Sequence, residues 1–168
     1  MKNPKSYSIP FLLSVAILCC IILPGCNFSR GAKTDFATGL KLSYKGFRIR
    51  DAILVDASGN KVSSNKVQLN TKVAIAAIGV ENYGLKDGKA HPGLSLLVTD
   101  KNGKPALDAA DLFNTPEGYP PAQAAELQGT ITVGRPMEAG QTYHVKMRIW
   151  DKVTPGNEIN TEVDLVVQ

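Results

Sequence analysis

Beyond position 26 the chain has no cysteine. Its three cysteines are Cys19, Cys20 and Cys26, so no disulfide can form downstream of them, and a domain built from that part must rest on its apolar core. Histidine is nearly as scarce. His91 and His144 stand far apart with no later cysteine to join them, so a zinc centre would need a chance meeting with carboxylates. No Gly-x-Ser-x-Gly elbow and no glycine-rich phosphate loop occurs. Excess charge is lacking too. Lys2 and Lys5 precede every acidic residue, and setting them aside leaves 17 basic groups of the 19 against 15 acidic ones. A net +2 without a basic stripe gives no footprint for nucleic acid. Finally, the single long apolar run, from Ile9 to Leu23, falls short of the roughly 20 residues that a membrane-spanning helix requires.

That run has the build of an export signal. Lys2 and Lys5 form a short positive start, Ile9 to Leu23 is apolar apart from Pro10 and Ser14, and Leu23-Pro24-Gly25-Cys26 closes it. The closing tetrapeptide resembles the lipobox of bacterial lipoproteins, through Leu23, Gly25 and Cys26; Pro24 stands where Ala or Ser is usual. The resemblance implies cleavage of the signal peptide 1–25 and a palmitate-type acyl anchor on Cys26. The implied location is a membrane of the cell envelope, the outer membrane of a Gram-negative bacterium, and the implied partner is the bilayer itself. An ordinary secretory signal or an uncleaved anchor is the alternative. Residues 26–39 lack any sustained period and read as a lipidated tether.

From Leu40 to Gln168 apolar residues recur at every second position, and turn chemistry separates the runs. Tyr143, Val145, Met147 and Ile149 alternate with His144, Lys146, Arg148 and Trp150, and Ile159, Thr161, Val163, Leu165 and Val167 repeat the pattern. Asp56 to Asn60, Asp100 to Gly103 and Thr154 to Asn157 read as turns. Two stretches read as short helices, Ala106 to Phe113 and Pro121 to Leu127, the second with a proline suited to a first helical turn. The predicted fold is all-β: one antiparallel sandwich over 40–168, with one or two helical turns in a long segment between strands.

The stretch from Gly140 to Asp151 resembles the penultimate strand of immunoglobulin-like and polycystic-kidney-disease-type domains, where a Gly and then a Tyr open a strictly alternating strand. That resemblance implies an immunoglobulin-like sandwich. Tyr143 would be its structural tyrosine corner, with the hydroxyl bonded to backbone upstream. The chain as a whole is similar to the sandwich lipoproteins common in Gram-negative envelopes, which implies a compartment and no activity.

Catalytic chemistry finds little support. Ser58-Gly59-Asn60-Lys61 and Ser63-Ser64-Asn65-Lys66 fit Ser-x-x-Lys, but both fall in turn regions where a helix start is needed, and no Lys-Thr-Gly follows. Asp100, Asn102 and Gly103 resemble part of a calcium loop, yet its later oxygen ligands are missing and a hairpin turn explains them. Asp108, Asp111 and Glu117 are the carboxylates a hydrolase of envelope or carbohydrate substrates would have to bring together. The most suggestive surface is the outward row His144, Lys146, Arg148 and Trp150, where an aromatic ring could stack on a sugar and cations could hold anions. An ordinary polar sheet face is the simpler reading. The sequence therefore predicts no enzyme, no cofactor and no metal. It predicts a membrane-anchored binding or assembly module of the envelope whose partner is a protein or a glycan; a glycan-binding accessory role and, more remotely, the hydrolase stay open.

Overall fold

The computed structural model describes residues 29–168. Its longest strands are β11 (Thr142–Asp151) and β12 (Glu158–Val167), paired antiparallel from Thr142 opposite Val166 to Trp150 opposite Glu158. Both alternate strictly between core and solvent: Tyr143, Val145, Met147 and Ile149 are buried on one strand, and Ile159, Thr161, Val163, Leu165 and Val167 on the other. At about 25 cal/mol for each Å² of apolar surface removed from water, this face supplies much of the folding drive.

Around this pair a seven-stranded sheet is built. It runs β1 (Arg30–Thr34), β2 (Lys41–Lys45), β12, β11, β8 (Pro92–Thr99) and β9 (Pro105–Ala109), and β4 (Lys66–Val67) also pairs with β12. One flank of β12 is shared: β2 takes Glu158 to Glu162 antiparallel, and β4 takes Val166 and Val167 parallel. A second sheet of three strands, β10 (Glu126–Thr132), β5 (Lys72–Ile78) and β3 (Asp51–Asp56), closes over it. Leu127 and Ile131 from β10, Val73, Ile75 and Ala77 from β5, and Leu54 from β3 meet Leu94, Leu96 and Val98 of β8 in one core. Gly129 occupies an inward position of β10 because the Met147 side chain fills the space a Cβ would need. Two sheets, antiparallel except for the β4–β12 pair, lie face to face and make an all-β sandwich. A small hairpin, β6 (Leu85–Lys86) with β7 (Lys89–Ala90), stands apart.

Three sequence expectations are corrected. The stretch 26–39, read as a tether, contains β1, paired along its full length with β2; the sheet therefore starts inside it, held by backbone hydrogen bonds that side-chain periodicity does not reveal. Ala106 to Phe113, read as a helix, contributes β9 instead, because pairing with the exposed flank of β8 overrides the helix preference of its alanines. The helix expected over Pro121 to Leu127 is the single turn α1 (Pro121–Ala124), since Glu126 already pairs with Ile78 at the start of β10. The leader 1–25 and Cys26 lie outside the described residues.

Strand ends define two poles. One carries Ser29, the loop from Asn82 to Gly84, the start of β8 and the β11–β12 turn. The other carries the turns at Asp100 to Lys104 and Gly134 to Gly140 and the end of β12.

Candidate functional site

The outward face of β11 carries a ladder of charge pairs. His144 Nδ1 lies 2.7 Å from Asp164 Oδ1, Lys146 Nζ 3.6 Å from Glu162 Oε1, and Arg148 Nη2 3.2 Å from Glu158 Oε2. Each acid comes from β12, where the sandwich register sets it opposite or one step from its cation. The cations that could have held an anion are thus already paired, and their partners Glu158, Glu162 and Asp164 gain meaning only through that register. Trp150 ends the row half-buried. Its ring covers Gly93 on the neighbouring β8, where a larger residue would collide with it, and the Arg148 guanidinium carbon stands 5.3 Å from the ring centroid. Tyr143, buried in the same strand, accepts a hydrogen bond from the Glu138 N–H at 2.9 Å through its hydroxyl.

The carboxylates that the remote hydrolase alternative would need are dispersed in role. Asp108 is exposed on β9 opposite Leu97, and Glu117 is exposed in the turn that follows Thr115. Asp111 is engaged at its core-facing side: its Oδ1 accepts the N–H groups of Leu94 and Phe113 at 3.2 and 3.0 Å, and its Oδ2 meets Lys152 Nζ at 2.6 Å. Desolvation pushes this carboxyl up, but the bonds from Lys152, Phe113 and Leu94 outweigh it and hold the group below its ordinary range. Asp151 is buried and equally committed, accepting the N–H groups of Gly84 at 2.6 Å and Val153 at 2.8 Å. Among the described residues no three His, Cys, Asp or Glu side chains gather into a metal-binding group.

Aromatic side chains plug the pole at the start of β8. Phe47 and Tyr83 meet edge-on at 4.8 Å, Phe113 and Tyr119 at 5.5 Å. Tyr83 donates to the Ala124 carbonyl at 3.0 Å; burial and then the nearby Asp151 charge push its phenol well above the ordinary range. Tyr119 is half-buried with its hydroxyl 2.8 Å from Thr115 Oγ1.

Accessible apolar groups lie elsewhere. Leu107 is exposed on β9, which ends the seven-stranded sheet and, among the described residues, has one flank without a neighbouring strand. Beside the start of β9 a cleft of about 310 Å³ opens between Lys101, Lys104, Pro105, Pro136, Glu138 and Gln141. Leu85, Leu112 and Val153 are exposed at the opposite pole, and Phe36 protrudes at the tip of the β1–β2 hairpin, 96% exposed. None of these carried a sequence signal, because an isolated apolar residue in a loop looks the same whether it is covered or bare.

No protein-family model matches the chain, and no curated protein matches it. Among solved structures, the crystal structure of the C-terminal domain of wzt is similar, with a TM-score of 0.47 and 12% identity over 85% of this chain and 79% of that one.

Proposed function

We propose that the protein is a lipid-anchored module of the bacterial cell envelope, held through acylated Cys26, that binds or assembles with an envelope protein and carries out no catalysis. The observation that carries the non-catalytic part is the commitment of its reactive groups: Asp111 to Lys152 and two backbone N–H groups, Asp151 to two more, and His144 to Asp164. Groups so occupied serve the scaffold. What the sandwich offers to a partner is the open flank of β9, where an extended segment could add a strand next to Leu107. Pro105 and the irregular register between Val98 and Thr99 limit indiscriminate pairing there, as edge strands usually require.

The anchor is tested by mass spectrometry of protein from membranes, with an acylated Cys26 expected at the N-terminus; an intact Met1 or an unmodified thiol rejects it. The binding role is tested by co-purification from detergent extracts. An envelope protein retained by the wild type and lost with Leu107→Lys supports the β9 flank, and a partner indifferent to that change rejects it.

A further inference from the structure

Three exposed apolar residues, Leu85, Leu112 and Val153, lie at the pole from which the described chain begins. Ser29 is fixed there: its carbonyl accepts the Gly46 N–H at 2.7 Å, and Gly46 sits against Asn157 of the β11–β12 turn, with a positive φ of 76° and no room for a side chain. Asn157 Nδ2 in turn donates to the Asn82 carbonyl at 3.0 Å. Two residues on, Gly84 packs against Val153 and Thr154, so Leu85 and Val153 share this end of the sandwich. Lys152, next to Val153, holds both Asp111 and the Phe113 carbonyl, which brings Leu112 to the same end. Leu85, Leu112 and Val153 are 53%, 48% and 36% exposed.

Charge at this pole is arranged alike. Hairpin β6–β7 leaves from Gly84 and sets Lys86 directly opposite Lys89, both exposed. Like charges facing each other across a strand pair are unfavourable unless an outside anion answers them. Arg30 adds a further cation beside Ser29. Of the acids nearby, Asp111 is paired with Lys152, Asp151 is buried on backbone N–H groups, Glu158 is paired with Arg148 and Glu81 with Arg48; Asp87, in the hairpin turn, stands between the two lysines, and Glu117 is exposed two residues before Tyr119, whose backbone pairs with Ala90 beside Lys89.

Reach decides the occupant. Only two residues, Asn27 and Phe28, lie between Cys26 and Ser29, and the three steps at about 3.3–3.6 Å each span at most roughly 11 Å. Given the reading that Cys26 is acylated, on which this rests, the pole is confined to about the depth of the headgroup layer.

We infer that this pole docks on the bilayer that holds Cys26, with Leu85, Leu112 and Val153 entering the interface and Lys86 and Lys89 meeting anionic phospholipid headgroups. The domain thus lies on the membrane with β9's cleft end outward.

The test uses full-length protein purified from bacterial membranes and reconstituted into vesicles of phosphatidylethanolamine and phosphatidylglycerol. Single reporter cysteines replace Leu85, Leu112 or Val153 at one pole, and Asn102 or Ala139 at the other; each carries an environment-sensitive dye quenched by spin-labelled lipid. Quenching several-fold stronger at 85, 112 and 153 than at 102 and 139 is the expected result. Equal or negligible quenching at both poles, with protein still on the vesicles, overturns the docking and leaves the anchor intact. Protein that fails to stay with the vesicles, with Cys26 unmodified by mass, removes the anchor and the docking together. Phe36→Ser, away from this pole, should leave the pattern unchanged; its collapse in that variant would also overturn the assignment.

Discussion

The Lys152 ammonium sits 2.6 Å from the Asp111 carboxylate and fastens the β11–β12 turn to the segment that leads from β9 to α1. The two residues lie 41 positions apart in sequence, and their pairing fixes how the aromatic pole is closed. Asp111→Asn should cost on the order of 1 kcal/mol at neutral pH, a charge-assisted bond discounted for its partial exposure. The sign with pH follows from the lowered carboxyl: its stabilisation is present above the ordinary value of 3.8 and fades as pH falls through the still lower folded value. Urea unfolding at pH 7 and again near pH 3 checks both; an acid loss undiminished in the variant would show that Asp111 does not contribute to it.

The ladder on the β11–β12 face predicts a contrast within one strand. Lys146→Ala, which removes an exposed cation paired with Glu162, should change stability by less than about 1 kcal/mol. Met147→Ala, one residue on and fully buried, should cost about 2–5 kcal/mol. Chemical denaturation of both variants, read on one probe, gives the comparison; similar losses would mean that the outward row is more than a solvated face.

Trp150 is the single tryptophan of the chain and reports on its own neighbourhood. Gly93→Ala places a methyl group where the ring now lies, so the ring must move outward. Emission should shift to longer wavelength, and overpacking should cost about 1–3 kcal/mol. An unchanged spectrum would show that the ring does not rest on Gly93.

Tyr83 gives the alkaline counterpart. With its phenol held above the ordinary value of 10.0 by burial and by Asp151, its contribution is complete below that value and is lost as pH rises toward the folded one. Tyr83→Phe should lower stability at neutral pH by about 1 kcal/mol, through the lost bond to the Ala124 carbonyl, and should flatten the decline above pH 10. Denaturation midpoints across alkaline pH decide it.

What could be read in the sequence depended on burial. β11 and β12 were legible residue by residue, because one face of each is covered and the other is not. β9 was illegible for the complementary reason: most of Pro105–Ala109 is exposed on both faces, so no alternation marks it, and its alanines signal helix until β8 supplies a partner. β1 hid in the same way within the expected tether, held by its pairing with β2 while nearly all its side chains stay in solvent. Of the candidate surface, the row His144, Lys146, Arg148 and Trp150 was placed on one face, but its neutralisation by β12 required the register. The pole formed by Leu85, Leu112 and Val153 joins three loops that only the folded chain brings together.

The two-way division of β12's outer flank has a consequence for assembly. With β2 running against it over one part and β4 alongside it over another, that border is spoken for, so a visiting polypeptide would have to evict a resident strand to join there. Sheet growth is left to the far borders, at β9 and β1, and Lys33 of β1 is itself tied to the Arg50 carbonyl. Through the seven-stranded sheet, as far as its described strands go, molecules crowded at high density on a surface would therefore stack into ribbons at those margins, and the central pair would stay out of reach.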